Sequence, residues 1–328
     1  MLRKFKNWLK KCKPLVIFVR LVKGAGRRSP LVYHCRDWTM NSVIYIMLQL
    51  MVTPYYLVKW FIGGKNVPGR EGLAFVLIAK NEATYIKEWL DFHIKQGVSR
   101  FIIYDNESTD NFCEVLRPYI DAGIVLYETI KGKCRQNDAY NMALDKYGES
   151  FKYMGFVDAD EFVFVRNITG GGGVGSLYSF VDEFMTAHPN AGGLAINWCM
   201  FGSNGHKKRP AGGVLENFTR RAEDNFSCNR HVKTICDPTK TLSGTNHNPV
   251  YYKDFYSLNE NGDIVYSAFS EEVSFSKVRI NHYFDKSREE FLIKKDVRGD
   301  VNNWIRTMRD FEAYDQNVIH DTEILSHI

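Results

Sequence analysis

The sequence predicts an α/β protein with a mostly parallel central sheet flanked by helices. Three observations lead there. From residue 73 onward, short apolar runs alternate with amphipathic stretches of helical period. The first of these runs lacks the polar alternation of a half-exposed strand, as expected where helices cover both faces. Strongly polar segments come directly after three runs: Asn81-Glu82, Asp105 to Asp110, and Asp158 to Glu161. Strand–helix–strand order of this kind marks a parallel sheet, and such sheets bind ligands beyond the carboxyl ends of their strands.

The chain divides into a basic, apolar region over residues 1–65 and a larger unit over 66–328, joined by the turn-rich Gly63 to Gly69. Residues 1–28 hold ten Lys or Arg and no acid, while the other 300 carry 33 basic against 38 acidic side chains. The basicity therefore belongs to one end. That argues against a nucleic-acid face spread over the molecule and for an arm, within residues 1–62, that meets an anionic membrane surface. Residues 43–58 include sixteen positions without a charge, short of the ~20 that a spanning helix needs, and Gln49 and Pro54 interrupt them. No small-residue cleavage site comes after them, so a secretory signal is not indicated. Three arrangements satisfy this composition. The region lies on the membrane with Trp8, Phe18, Trp38 and Trp60 in the interface, spans it once, or packs as plain helices. The first is preferred. Seven cysteines without a CxxC pair point to a reduced compartment and away from zinc.

Within the larger unit, Leu73 to Ala79 is the first strand. Thr84 is a candidate cap for the next helix, on which Ile86, Trp89, Leu90, His93 and Ile94 share one face; Gly97 ends it. Arg100 to Tyr104 is the second strand, and Val115, Leu116 and Tyr119 mark the second helix, with Asp110 as its cap. Ile124 to Tyr127 is the third strand, and Ala139, Tyr140, Ala143, Leu144 and Tyr147 mark the third helix. The fourth strand is the stretch YMGFV, which breaks into Asp158-Ala159-Asp160-Glu161 before Phe162 to Val165 resumes the apolar run.

Two carboxylates one residue apart at a strand end both reach a single hard cation, and oxygen ligands suit Mg²⁺ or Mn²⁺. Mg²⁺ held by so few carboxylates takes its other ligands from water and substrate phosphates, so a diphosphate is the natural partner. Neither GxxxxGK[ST] nor GxGxxG stands after the first strand, which excludes a P-loop NTPase and a dinucleotide oxidoreductase. Lys133, Arg135 and Gln136 precede the third helix, where backbone N–H groups favour anions. Trp198, Phe201, Ser203 and His206 form a candidate acceptor wall. Lys233 is a candidate phosphate contact, with Lys286, Lys294 and Arg298 as others. Ser287 to Glu290 reads as a capping box.

The blocks LIAKNEATYIKEWLDFHIKQGV, IIYDNESTD, GKCRQNDAYNMAL, GFVDADEF, NWCMFGSNGH, VKTI and NHYFDKSREEF occur in that order. Together they resemble glycosyltransferase family 92, a relative of the large family 2, over about residues 73 to 299. The resemblance implies a GT-A fold, a nucleotide-sugar donor with Mn²⁺ or Mg²⁺, and direct displacement with inversion. A UDP-linked hexose such as galactose is the expected donor, and a saccharide or glycolipid the acceptor. On the matching positions, Asp160 is expected to hold the metal and Asp158 the metal or the donor ribose. Glu161 touches the sugar or turns into solvent. Asp105 corresponds to the aspartate that binds the nucleotide base, and Asn81 and Glu82 lie near base and ribose. His282 corresponds to a late histidine metal ligand, with His247 a weaker candidate. An inverting displacement needs a base, for which Glu216, Glu223 and Asp224 are the candidates by position, Glu216 first.

Two other functions compete. A nucleotidyltransferase of the same fold would carry a Gly-rich basic loop after the first strand, which IAKNEATYI lacks. A non-catalytic membrane or glycan-binding protein would have no need of the intact acidic triplet. The sequon at Asn106 falls in the expected donor loop, where a glycan would block it. The expected location is therefore the cytoplasmic face of an inner membrane, with a single-pass type II Golgi protein as the alternative.

Overall fold

Two helical layers share one strand. In β1 (Leu73–Ala79), Phe75 and Leu77 enter a core with Trp89 and Phe101, while Ala74 and Val76 enter another with Tyr140 and Phe156. That double burial explains the unbroken apolar run. In the computed structural model, residues 54–55, 57–166, 176–297 and 306–328 are described. The membrane-associating helices expected up to residue 53 lie outside them.

α1 (Ile86–Lys95) comes next, then β2 (Arg100–Asp105), α2 (Phe112–Asp121), β3 (Val125–Thr129), α3 (Gln136–Tyr147) and β4 (Tyr153–Phe156). α1 and α2 supply residues to the first core and α3 to the second. The strands pair in the order β3-β2-β1-β4, all parallel. Gly97, at φ +88, ends α1 in a conformation that glycine adopts freely. The helix starts after Tyr85 with no side-chain cap, so Thr84 does not take that role. Asp110 bonds the N–H of Phe112 at 3.2 Å and that of Ala83 at 3.0 Å, tying two loops together.

Past β4 the sheet changes character. The chain runs through β5 (Glu161–Val165), α4 (Leu177–Ala187), β6 (Ala191–Met200), α5 (Val214–Asn217), β7 (Arg220–Arg221) and β8 (Val232–Cys236). β9 (Thr241–Ser243) and β10 (Val250–Tyr251) form a separate antiparallel pair, and β11 (Tyr256–Leu258) and β12 (Ile264–Val265) extend the main sheet. β13 (Val278–His282), α6 (Arg288–Val297), α7 (Met308–Tyr314) and β14 (Ile319–His320) complete it. β8 inserts antiparallel between β4 and β6. The end of β6 leaves β8 and pairs parallel with β13, which pairs antiparallel with β5. The sheet is thus mixed, not mostly parallel. The helical crossovers that announce parallel pairing stop at β4, and the apolar run over 153–165 is two strands in different parts of the sheet.

This topology gathers strand ends on one rim. β1, β2, β3, β4, β6 and β13 arrive there by their carboxyl ends, and the reversed β5 and β8 by their amino ends. β13 is locked from behind. Arg279, fully buried, donates to Asp321 at 2.9 Å; Arg221 donates to the same carboxylate at 2.7 Å, and Arg166 to Glu323 at 2.7 Å. Glu260 accepts from Ser274, Ser276, Lys277 and Val278 and so shapes the entry to β13.

His93 on α1 is a core residue. Its Nδ1–H donates to the Trp89 carbonyl at 2.9 Å, and its Nε2 accepts the Val163 N–H at 3.1 Å. Burial lowers its pKa to about 3, against about 6.5 in the unfolded chain. The unfolded state therefore takes up a proton that the native ring refuses. Stability from this ring is complete above pH 6.5 and falls as the pH drops toward 3. In urea titrations between pH 6.5 and 5, unfolding free energy should fall with pH, and His93→Gln should reduce that slope.

Candidate functional site

The acidic loop between β4 and β5 is held by a lysine from β8. Because β8 runs antiparallel to β4, its first residues stand beside the last of β4. Lys233 Nζ lies 2.7 Å from Asp158 Oδ2 and 3.5 Å from Glu161 Oε2. Asp158 Oδ1 accepts from Gln136 at 2.7 Å and from Tyr140 at 3.3 Å. Glu161 Oε2 accepts the Asp158 N–H at 2.8 Å, and the Glu161 carbonyl accepts the Trp89 indole N–H at 2.8 Å. Glu161 is fully buried, so it neither meets sugar nor turns to solvent; it pins the loop from below. Burial, with Asp158 nearby, pushes its carboxyl well above the usual range despite Lys233. Burial works against ionised Asp158 too, but the Lys233 charge outweighs it and the pKa is lowered.

Asp160 stands one step along the same loop. Its Oδ2 pairs with Lys294 of α6, and its Oδ1 lies 3.6 Å from His282 Nε2 at the end of β13. Burial opposes its ionisation, yet Lys294, His282 and Lys286 hold the carboxyl well below the ordinary range. His282 Nδ1 is buried without a hydrogen-bond partner. Its ring meets Trp198 at 4.2 Å, and Trp198 in turn stacks on His231 at 4.6 Å. His247 closes this aromatic group, 5.3 Å from both Trp198 and His231.

A cavity of about 510 Å³ opens on the rim. On one side it is bordered by Lys80, Asn106 and Glu107, just past β1 and β2, and by Lys133, Arg135 and Gln136 at the start of α3. Asp158 and Asp160 form its floor, and Trp198, Met200, His231, His247 and His282 its far wall. Lys294, Arg306, Asp310 and Tyr314 complete the border. The family model for glycosyltransferase family 92 matches residues 76–323. The chain belongs to glycosyltransferase family 92.

A family 92 protein of Ricinus communis is 29% identical over 253 residues, which are 75% of this chain and 39% of that protein. One of Oryza sativa subsp. japonica is 31% identical over 43% of this chain and 23% of its own length. The chain thus spans well under half of either relative. Galactan beta-1,4-galactosyltransferase GALS2 of Arabidopsis thaliana is 32% identical over 90 residues, 24% of this chain and 17% of that protein. Among solved structures, S. aureus TarS 1-349 in complex with UDP matches at 16% identity and a TM-score of 0.33, over 77% of this chain and 58% of that one.

In this family 92 chain, the fold brings Lys133, Arg135, Gln136, Asp158, Asp160, Trp198 and His282 to one cavity. Lys233 sits beneath it as the partner of Asp158. Several other candidates stand elsewhere. Asp105 is spent on Ser108 N–H at 2.9 Å and Tyr127 hydroxyl at 2.6 Å. The Asn81 side chain accepts from Thr109 at 2.7 Å, and Glu82 is buried at the foot of α1; neither borders the cavity, whose edge there is Lys80, Asn106 and Glu107.

Of the expected acceptor wall, Trp198 borders the cavity and Phe201, Ser203 and His206 do not. Trp198 and Met200, two apart on β6, share the cavity side. Phe201 is buried against Tyr283, Ser203 is buried off the cavity, and His206 lies on Phe218. None of the three carboxylates expected to act as base borders the cavity. Glu216 accepts the Gly213 N–H at 3.0 Å and closes the turn of α5. Asp224 pairs with Arg221 at 2.6 Å, and Glu223 lies in the same turn. His231, Phe284, Arg306 and Tyr314 border the cavity without being among the expected residues. No local pattern marks them: His231 stands before the reversed β8, Phe284 just past β13, Arg306 just before α7 and Tyr314 at its end.

Asp160 and His282 suit a divalent cation. Their facing oxygen and nitrogen, 3.6 Å apart, lie within the spread of two ligands bound at about 2.1 Å each. The Lys294 ammonium already occupies the second Asp160 oxygen as a cation would. Among the described residues no group of three or more His, Cys, Asp or Glu stands at metal-binding separation, so remaining ligands would come from water and substrate.

Lys233→Met should leave fully buried Glu161 and half-buried Asp158 without their cationic partner. The expected loss is about 3–5 kcal/mol in chemical denaturation. Glu161→Gln, which replaces a carboxyl that burial already holds toward its neutral form, should cost much less.

Proposed function

We propose that this chain transfers a hexose from a nucleoside-diphosphate sugar, UDP-linked, to a saccharide or glycolipid acceptor with inversion at the anomeric carbon. The GT-A fold is part of this reading. The observation that carries it is the single cavity in which Asp160 and His282 face a border of Lys133, Arg135, Lys294 and Arg306. Such a border suits the charge of a diphosphate, and the start of α3 adds its backbone N–H groups. The galactosyltransferase name of one relative supports a hexose.

A divalent metal, Mn²⁺ or Mg²⁺, would be held by Asp160 and His282 and would stabilise negative charge on the departing diphosphate. The protein's own groups do the rest. Lys133 and Arg135 bind phosphate oxygens. Gln136 and Lys233 fix Asp158 for a metal or ribose contact. Trp198 offers an aromatic face to a sugar ring.

In a screen of UDP-galactose, UDP-glucose, their N-acetyl forms and GDP-mannose, the full chain should release one nucleoside diphosphate in a metal-dependent way. Asp160→Ala should lower that rate by about 100-fold or more. Absence of both turnover and metal-dependent nucleotide binding would overturn the reading.

Membrane association, at the cytoplasmic face, belongs to the same reading, with residues 1–65 as its seat. A helical segment through residues 57–62 packs Leu57 and Trp60 on Leu242 and Val250 and leaves Val58, Phe61 and Ile62 exposed beside Lys59. No helix among the described residues is long and apolar enough to cross a membrane. The full chain should co-sediment with phosphatidylserine-containing vesicles and dissociate at high salt. Phe61→Asp with Ile62→Asp should weaken the binding.

A further inference from the structure

We propose that His231 is the general base of this site, accepting the proton of the acceptor hydroxyl at Nε2. The assignment rests on the transferase reading above and adds to it the group that the expected carboxylates do not supply.

The carboxylates that border the cavity are all engaged. They are Glu107, Asp158, Asp160 and Asp310. Asp158 is held by Lys233 and Asp160 by Lys294. Glu107 accepts the Gly132 N–H at 3.0 Å in the loop before α3, and Asp310 accepts both the N–H and the hydroxyl of Thr307 as a helix cap. Each therefore holds a loop, a helix or a cation.

The tautomer of His231 is fixed by its backbone neighbour. Its Nδ1 lies 3.0 Å from the Cys228 carbonyl. A carbonyl only accepts, so Nδ1 carries the proton and Nε2 carries the lone pair. No described group bonds to that Nε2. The ring borders the cavity and is held in place between two aromatic neighbours, stacked at 4.6 Å on Trp198 and 4.2 Å from Phe269. Phe269 is itself 47% exposed.

The charge around the ring keeps it neutral. The titratable groups that face it are His247 across the cavity wall, His282 from β13 and Lys233 from β8. Burial first, with the Lys233 charge, lowers the imidazole to about 4, against the pull of the Cys228 carbonyl. The ring is therefore unprotonated at physiological pH, with the lone pair on Nε2. An anionic donor in the cavity raises its basicity further.

The step balances without any other reagent. The acceptor oxygen bonds to the anomeric carbon as the bond from that carbon to the diphosphate oxygen breaks. The electron pair of the broken bond leaves on the diphosphate, and the hydroxyl proton passes to Nε2. The imidazolium then returns the proton to solvent.

The test uses the full chain with the donor that turns over in the screen, with water, methyl β-galactoside and methyl β-glucoside as acceptors. His231→Ala and His231→Gln should lower nucleotide release by about 100-fold or more, with UDP affinity by calorimetry and melting temperature unchanged. Added imidazole should restore rate to His231→Ala alone, rising with the fraction of neutral imidazole. Retention of a tenth or more of the wild-type rate in a folded variant would overturn the assignment. So would a rate loss matched by an equal loss of UDP affinity, or a loss that imidazole leaves untouched. Each of those results leaves the transferase reading standing. A wild type that neither binds a nucleoside diphosphate nor turns over would overturn both.

Discussion

The Lys233 ammonium, enclosed between Asp158 and Glu161, is the interaction on which the rim depends. Burying an ammonium and a carboxyl beside a half-buried carboxylate is costly unless geometry and hydrogen bonds compensate. Here they do. Glu161 holds the backbone of Asp158 from below, Gln136 and Tyr140 hold its carboxylate from the side, and the lysine neutralises what burial would otherwise expel. The loop can then project Asp160 to the cavity without collapsing into the core. The same lysine explains the direction of β8. Only a strand running against β4 brings its first residues to the end of that strand, so charge neutralisation and topology are one arrangement.

The first half of the fold was legible because its signals are local. β1 to β4 and α1 to α3 emerge from apolar runs, helical spacing and Gly97, and their order fixes the rim on which a site forms. The second half, past β4, was not legible. Nothing within VKTIC states that this strand reverses, and nothing within VRINH states that it pairs with the far end of β6. Those facts depend on residues dozens of positions apart. The buried lock of Arg279, Arg221 and Asp321 is of the same kind, since each partner taken alone reads as a surface charge.

The candidate site divides along the same line. Asp158, Asp160 and the residues before α3 announce themselves by position after a strand or before a helix. Glu161 does not, because a third acidic residue at a loop looks solvated until the Trp89 and Lys233 contacts above it are known. Asp105 and Asn81 show the opposite case. They carry the right chemistry at the right strand ends, yet their oxygens are consumed in joining the β1 and β2 loops to their neighbours.

Carboxylates placed by linear distance from Trp198 are subject to that competition most of all. Glu216, three residues into its turn, has a backbone N–H within reach, and Asp224 has Arg221 one turn away. Short, flexible acids close to main-chain donors are drawn into local bonds. An imidazole in the same setting behaves differently. Its two nitrogens separate the tasks: one bond to a carbonyl orients the ring, and the opposite lone pair stays outside that bond. The wall formed by Trp198, His231, His247 and His282 is built from side chains of that type, with Nδ1 of both His231 and His247 anchored to main-chain carbonyls. Burial keeps these rings uncharged, so the wall meets the cavity as neutral imidazole and indole beside carboxylates whose charge Lys233 and Lys294 balance.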